Sequence, residues 1–255
     1  MATLKTTRLP EHLSRLPHCH PDHARALHAI DQHARDRGVR LFPQTDFALL
    51  KEIFSQHADS GARLAPLYDP AHHALTPETA LWIAGLDDDG EVAMTAATRI
   101  FDFDGTSLQV EAESMRVFGP GHFRASTFAG PAASAMTGRV AISGGGWVHP
   151  LFRGPGPTGI RLSRILRRAV TFLAYAMKPL SYDAAWVKTV QVVEKGLAAD
   201  YGFDHVEHGA DFVMTDGSIS PNSLVWSDTY EIDEDMAWCG RGALRRPLAQ
   251  ATQAA

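Results

Sequence analysis

The chain has 255 residues, 45% hydrophobic and 21% charged, a balance ordinary for a globular fold and sufficient for one large core. A formal net charge of -5 argues against a broad nucleic-acid surface, which needs clustered Lys and Arg, and no apolar run approaches the ~20 residues of a membrane span. Two cysteines near opposite ends, Cys19 and Cys239, supply no disulfide framework and suit a reducing compartment.

The opening "MATLKTTRLPEHLSRL" lacks the apolar core of a secretory signal, so a cytoplasmic chain is expected. In "DHARALHAIDQHARDRG", Ala24, Leu27, Ile30 and Ala34 share a stripe and Gly38 follows, which predicts a helix at about 22 to 37. "VRLFP" reads as a strand, and "TDFALLKEIFSQHADSG" as a helix capped by Thr45 or Asp46, with Phe47, Leu50, Ile53 and Phe54 buried. "ALWIAGLDDDGEVAMTAATRIFDFDG" predicts a hairpin turning at Asp-Gly, and residues 106 to 118 fit a helix without demanding one. "GRVAISGGGWVHP" begins as a strand, and its glycines suggest a bulge or a close backbone approach. Thr158 to Met177 is an amphipathic helix, with Arg161, Arg164, Arg167 and Arg168 read as a solvated face. "SYDAAWVKT" is a strand, "VVEKGLAADYG" a helix ended by Gly202, and "FDHVEHGADFVMT" and "NSLVWSDT" are further strands. Strands alternating with helices place the chain in the α/β or α+β class with a mixed sheet, and the end, "ALRRPLAQATQAA", reads as frayed.

The corner "VHPLFRGPGPTGIRLS" carries a strand into a helix through a glycine-proline loop, which would serve merely to turn the chain or, through free amides at the helix start, to hold phosphate. It is neither a P-loop, which needs a Lys-Ser/Thr pair, nor a dinucleotide fingerprint.

On Val148, His149, Pro150, Arg153, Gly154, Gly156 and Gly159, the corner resembles the Gln/Arg-x-x-Gly-x-Gly/Ala signature of the GNAT superfamily of N-acyltransferases. A second segment, "VQVVEKGLAADYGF", resembles the family's strand-helix-Gly-Phe element, with Gln191 where an Asn is usual, and the match spans roughly residues 39 to 230. It implies a largely antiparallel mixed sheet flanked by helices over residues 39–238, a helical extension over 1–38 and a flexible tail over 239–255. It further implies an acyl-CoA co-substrate, most simply acetyl-CoA, with its pyrophosphate on the amides of Gly154, Gly156, Thr158 and Gly159 beside Arg153, and its pantetheine arm along Val148. Gln191 joins that set, Pro155 and Pro157 donate nothing, and the signature's sixth position is Thr158 rather than Gly or Ala. The acceptor would be an amine of a small molecule or peptide, without metal or nucleic acid, and the oligomeric state, a homodimer included, is left open. Relatives that draw long acyl chains from acyl carrier protein, such as acyl-homoserine-lactone or N-acyl-amino-acid synthases, and a non-catalytic CoA-binding module are the alternatives.

Acyl transfer to an amine needs a base and oxyanion donors. His149 and Glu113 are the candidate bases, with Glu111 close by, and strand amides near Gly146 to Val148 the candidate donors. The usual Tyr, four residues before Gly-Phe, is replaced by Ala198, and on a continuous helix Tyr201 faces elsewhere. "HCHPDH" (His18, Cys19, His20, Asp22, His23) matches no zinc spacing and reads as a polar helix start, "FDFDGTS" lacks the later residues of a calcium loop, and Trp186 and Trp226 read as core.

Overall fold

A computed structural model describes residues 4–13, 19–119, 123–156, 159–242 and 244. In chain order these form α1 (Leu9–Leu13), α2 (Pro21–Arg35), β1 (Arg40–Gln44), α3 (Phe47–Gln56), β2 (Ala80–Leu86), β3 (Val92–Phe103), α4 (Leu108–Glu113), β4 (Phe123–Phe128), α5 (Ala132–Ala135) and β5 (Gly138–Val148). Then come α6 (Ser163–Met177), β6 (Tyr182–Lys188), α7 (Thr189–Lys195), α8 (Leu197–Tyr201), β7 (His205–His208), β8 (Ala210–Met214), β9 (Ile219–Ser220), β10 (Asn222–Asp228) and α9 (Thr229–Gly240).

The main sheet has the order β1-β2-β3-β5-β6-β10-β7 and is antiparallel except where β5 meets β6. A smaller antiparallel sheet, β4-β8-β9, lies apart from it. Period-2 alternation sorts the side chains of β2 by face. Leu81 and Ile83 join Leu27, Ile30, Ile165, Phe172 and Met236 under α2, α6 and α9. Ala80, Trp82 and Ala84 join Phe47, Leu50, Tyr68, Phe118 and Phe212 under α3, α4 and the small sheet. The fold is therefore a mixed, largely antiparallel sheet with helices on both faces.

Local chemistry explains the ends. The His20 side chain accepts from the Asp22 amide at the start of α2, Asp46 caps α3 through the Ala48 and Leu49 amides, and Asp228 with Glu231 forms a capping box on α9. The predicted hairpin is β2–β3, and the ambiguous stretch 106–118 contains the short α4. "FDHVEHGADFVMT" is not one strand: Gly209 (φ +82°) splits it into β7, on the edge of the main sheet, and β8, in the small one. Among the described residues no helix is long and apolar enough to cross a membrane.

Candidate active site

β5 and β6 run parallel but pair only at Val140–Tyr182, Ala141–Asp183 and Ile142–Ala184. Past that point β5 stays on β3 as far as Val148 while β6 stays on β10 as far as Lys188, so the two strands splay into a wedge. A cavity of about 680 Å3 fills it, with Gly144, Gly145 and Gly146 on one wall and Ala185, Trp186 and Val187 on the other. The glycine wall bulges because Gly145 and Gly146 stand opposite Ala96 alone. Gly145 has φ +55°, a β-carbon there would meet that of Ala97 at 2.9 Å, and its carbonyl accepts from the Thr95 hydroxyl at 2.9 Å. Only glycine fits that position.

The vertex of the wedge is locked by buried charge. Asp183 accepts from Ser143 Oγ at 2.6 Å, Thr171 Oγ1 at 2.7 Å and Arg167 Nε at 2.5 Å, tying β5, α6 and β6 together. Arg167 also donates to the Gly202 carbonyl at 2.7 Å and lies over the Phe203 ring, while Arg168 Nε donates to Asp235 at 2.8 Å. The expectation that Arg167 and Arg168 face solvent is thus corrected: α6 is enclosed by the sheet, α2 and α8, so both guanidiniums are buried and paired with Asp183 and Asp235. Arg161 and Arg164 pair with Asp200 on α8.

The glycine-proline corner also departs from expectation. α6 begins at Ser163, not Thr158, because Gly156 (φ +61°) and Gly159 (φ +71°) hold the chain in left-handed turns. Thr158 lies outside the described residues. The Gly159 amide is taken by the Gly156 carbonyl at 3.2 Å, whereas Gly154 and Gly156 are exposed. Arg37 spans this loop, donating to the Ile160 carbonyl at 2.6 Å and the Phe152 carbonyl at 3.1 Å, with its guanidinium where a side chain at Gly156 would stand. The amides of Leu162 and Ser163 at the true helix start have no acceptor among the described residues, and they border a second cavity of about 350 Å3. Arg153, Arg161, Lys195, Asp200, Gln191 and Val148 line it too, and Gly61, Gly146, Leu166, Gln191, Leu197 and Tyr201 are common to both cavities. A groove therefore runs from the cationic start of α6 through the wedge. Gly154, Gly156 and Gly159 line neither cavity, so the expected amide cradle shifts to 161–163. Arg153 spends two donors on the Val148 carbonyl (2.9 Å) and the Ser60 carbonyl (2.8 Å), which makes it first a brace on that wall.

Tyr201 corrects another expectation. Gly196 adopts φ +61° and breaks the predicted single helix into α7 and α8, so α8 is rotated relative to a continuous helix. The Tyr201 hydroxyl lies 3.8 Å from where a β-carbon at Gly146 would stand, lines both cavities, and has no hydrogen-bond partner among the described residues. Burial, then the charge of Asp200, raises its pKa above the ordinary value of 10, so the phenol stays protonated at neutral pH. Ala198, at the position the family motif gives to Tyr, is buried against Phe203 and Val225.

The two candidate bases are not brought to the wedge. His149 Nδ1 accepts from the Leu151 amide at 3.3 Å, capping a short turn, and its ring meets Trp147 and His57 edge-on. His57 stacks on Trp147 at 4.3 Å, and that burial, with His149 second, lowers its pKa from 6.5. Glu113 is exposed on α4 and accepts from Gln109 Nε2 at 2.8 Å. Glu111 is tied to Arg116, which holds its carboxyl below the usual range. None of the three lines either cavity. Trp186 and Trp226 pack against the core as read, and Trp186 also forms part of the wedge wall. Of "HCHPDH", His18 lies outside the described residues, and His23 packs edge-on against Tyr175. Among the described residues no three His, Cys, Asp or Glu side chains cluster to hold a metal.

No family model matches the chain, and no curated protein does. The chain is similar, at low identity, to solved structures. A putative acetyltransferase from Acinetobacter baylyi ADP1 is 16% identical, over 74% of this chain and 91% of its own, with a TM-score of 0.41. The aminoglycoside acetyltransferase AAC(6')-Ib, solved with coenzyme A and kanamycin, is 17% identical over 77% and 98%, with a TM-score of 0.43. Arabidopsis thaliana NAA60, solved with a bisubstrate analogue, is 12% identical over 74% and 98%, with a TM-score of 0.46. All three scores lie below 0.5, so the chemistry of this site has to be carried by its own residues.

Proposed function

We propose that the chain is a GNAT-type N-acyltransferase, moving an acyl group, most simply acetyl, from acyl-CoA to a primary amine by direct attack. The observation that carries this reading is the groove that joins the start of α6, where the Leu162 and Ser163 amides have no acceptor among the described residues, to a splayed, bulged strand pair, with the Tyr201 hydroxyl, likewise without a partner among them, at the junction. The residues fit the co-substrate. The Leu162 and Ser163 amides, which have no acceptor among the described residues, suit a diphosphate together with Arg153, Lys195 and the Arg161 that Asp200 pairs in the same cavity, and the β5 edge that β6 leaves beyond Ile142 suits an amide-bearing arm. Bound there, acyl-CoA supplies the activated thioester.

The protein's own groups do the rest. The bulge exposes Gly146 to the wedge, where backbone N–H groups would face developing negative charge without reorganising. Tyr201 holds a proton beside Gly146, placed to neutralise the departing thiolate, and its raised pKa keeps that proton available. Gln191, lining both cavities, orients the arm between them. Thiol release from acetyl-, octanoyl- and palmitoyl-CoA and from acyl carrier protein, assayed over a panel of amines, tests the reading. Acetyl-CoA turnover supports it, and turnover from acyl carrier protein alone would replace it with the long-chain alternative.

A further inference from the structure

If the wedge is an acyltransferase site, its lining also selects the acceptor. Its far wall is aromatic: Phe118, Phe123, Trp186 and Phe212 all line it, with ring centroids 4.9 Å apart for Phe118–Trp186 and Phe118–Phe212 and 4.2 Å for Phe123–Phe212. Interlocking rings make a rigid slot for a flat apolar body.

The charged lining is one-sided. Arg63, Arg167 and Lys188 border the cavity, and among the described residues no Asp, Glu or His does. Arg167 is neutralised from behind by Asp183 and Asp235, which leaves Arg63 and Lys188 as the cations a ligand meets. Lys188 is exposed and has no partner among the described residues.

This lining discriminates between classes of amine. An alkylammonium entering the cavity finds cations and no counterion, and it finds no side chain to take its proton. With a pKa near that of lysine, it is neutral in roughly one molecule in a few thousand at pH 7. An arylamine is already neutral at pH 7, brings a ring for the aromatic slot, and needs no base. A carboxylate on that ring would meet Lys188 or Arg63.

We propose that the acceptor is a weakly basic aromatic amine bearing an anionic group, of the aminobenzoate type. In the transfer, the amine nitrogen forms the new bond to the acyl carbon, the carbon–sulfur bond breaks, Tyr201 gives its proton to the sulfur, and the amine's surplus proton passes to solvent and restores Tyr201. This inference rests on the acyltransferase reading, and its test separates the two.

The test uses the full chain with acetyl-CoA at pH 7 and 4-aminobenzoate, aniline, benzylamine and spermidine as acceptors, with calorimetry of acetyl-CoA and fluorescence titration of N-acetyl-4-aminobenzoate in parallel. The expected order is 4-aminobenzoate above aniline, with benzylamine and spermidine at least 100-fold lower in kcat/KM, and 4-aminobenzoate turnover flat from pH 6.5 to 8.5. Lys188→Met should cut the preference for 4-aminobenzoate over aniline about tenfold. Acetyl-CoA binding together with faster turnover of spermidine or benzylamine would overturn this inference and leave the acyltransferase reading standing. So would acetyl-CoA binding with no aminobenzoate turnover and no binding of its acetylated product, or displacement of that product by octanoyl-CoA, which would place an acyl chain in the slot. Failure of every coenzyme A species to bind would instead overturn the reading beneath it.

Discussion

At the scale of single residues, Tyr201 and Gly145 carry the most. Replacing Tyr201 with Phe removes one oxygen from a groove wall and leaves the packing intact, so kcat should fall about 100-fold while acetyl-CoA affinity stays within twofold. Unchanged kcat would remove Tyr201 from the chemistry. The role of Tyr201 could not be read in the chain, because it acquires its direction from a left-handed turn at Gly196, five residues earlier, whereas the glycine run did signal the bulge and close approach found at Gly145, though not that Ala97 is the neighbour. Cys239 offers an independent check on burial. Its thiol is pushed up to about 12 by burial and then by Asp235, whereas Cys19 is only half-buried, so one thiol should react with a disulfide reagent in the native protein and two after unfolding. Rapid reaction of two thiols in the native protein would show that α9 is not packed as described.

At the scale of elements, legibility follows how local the cause is. The stripe of Leu27, Ile30 and Ala34, the Asp46 cap and the Asp-Gly hairpin each act within a few residues, and α2, α3 and β2–β3 appear where those signals stand. The start of α6 is set from outside. Arg37, more than 100 residues away in sequence, holds both ends of the loop, and no pattern within the loop announces it. Helix α9 had a legible signal, the Asp228–Glu231 capping box, whereas β4 and its sheet depend on long-range pairing with β8. Arg37→Ala should therefore loosen the loop and raise the acetyl-CoA dissociation constant about tenfold, with kcat changed less than twofold, as calorimetry and steady-state kinetics would read. An unchanged dissociation constant would mean that the loop does not shape the anion site.

For the whole molecule, the wedge exists because two strands share a sheet at one end only, and the buried set Ser143, Thr171, Arg167 and Asp183 pins that end. Asp183→Ala leaves Arg167 buried without its closest counterion, which should destabilise the fold by about 3–5 kcal/mol and lower Tm by on the order of 10 °C. A drop of less than about 2 °C would show that the vertex is held by packing alone. The class of fold was legible from alternating elements, but the gap between β5 and β6 was not, since a missing strand pairing leaves no local pattern. The most direct single measurement is calorimetric titration of the full chain with acetyl-CoA, alongside 3'-dephospho-CoA and pantetheine. The groove predicts saturable one-to-one binding that is retained by dephospho-CoA, weakened at least 100-fold in pantetheine, which lacks the diphosphate, and weakened by salt. Pantetheine binding as tightly as acetyl-CoA, or no heat with any of the three, would contradict a diphosphate seat at the start of α6.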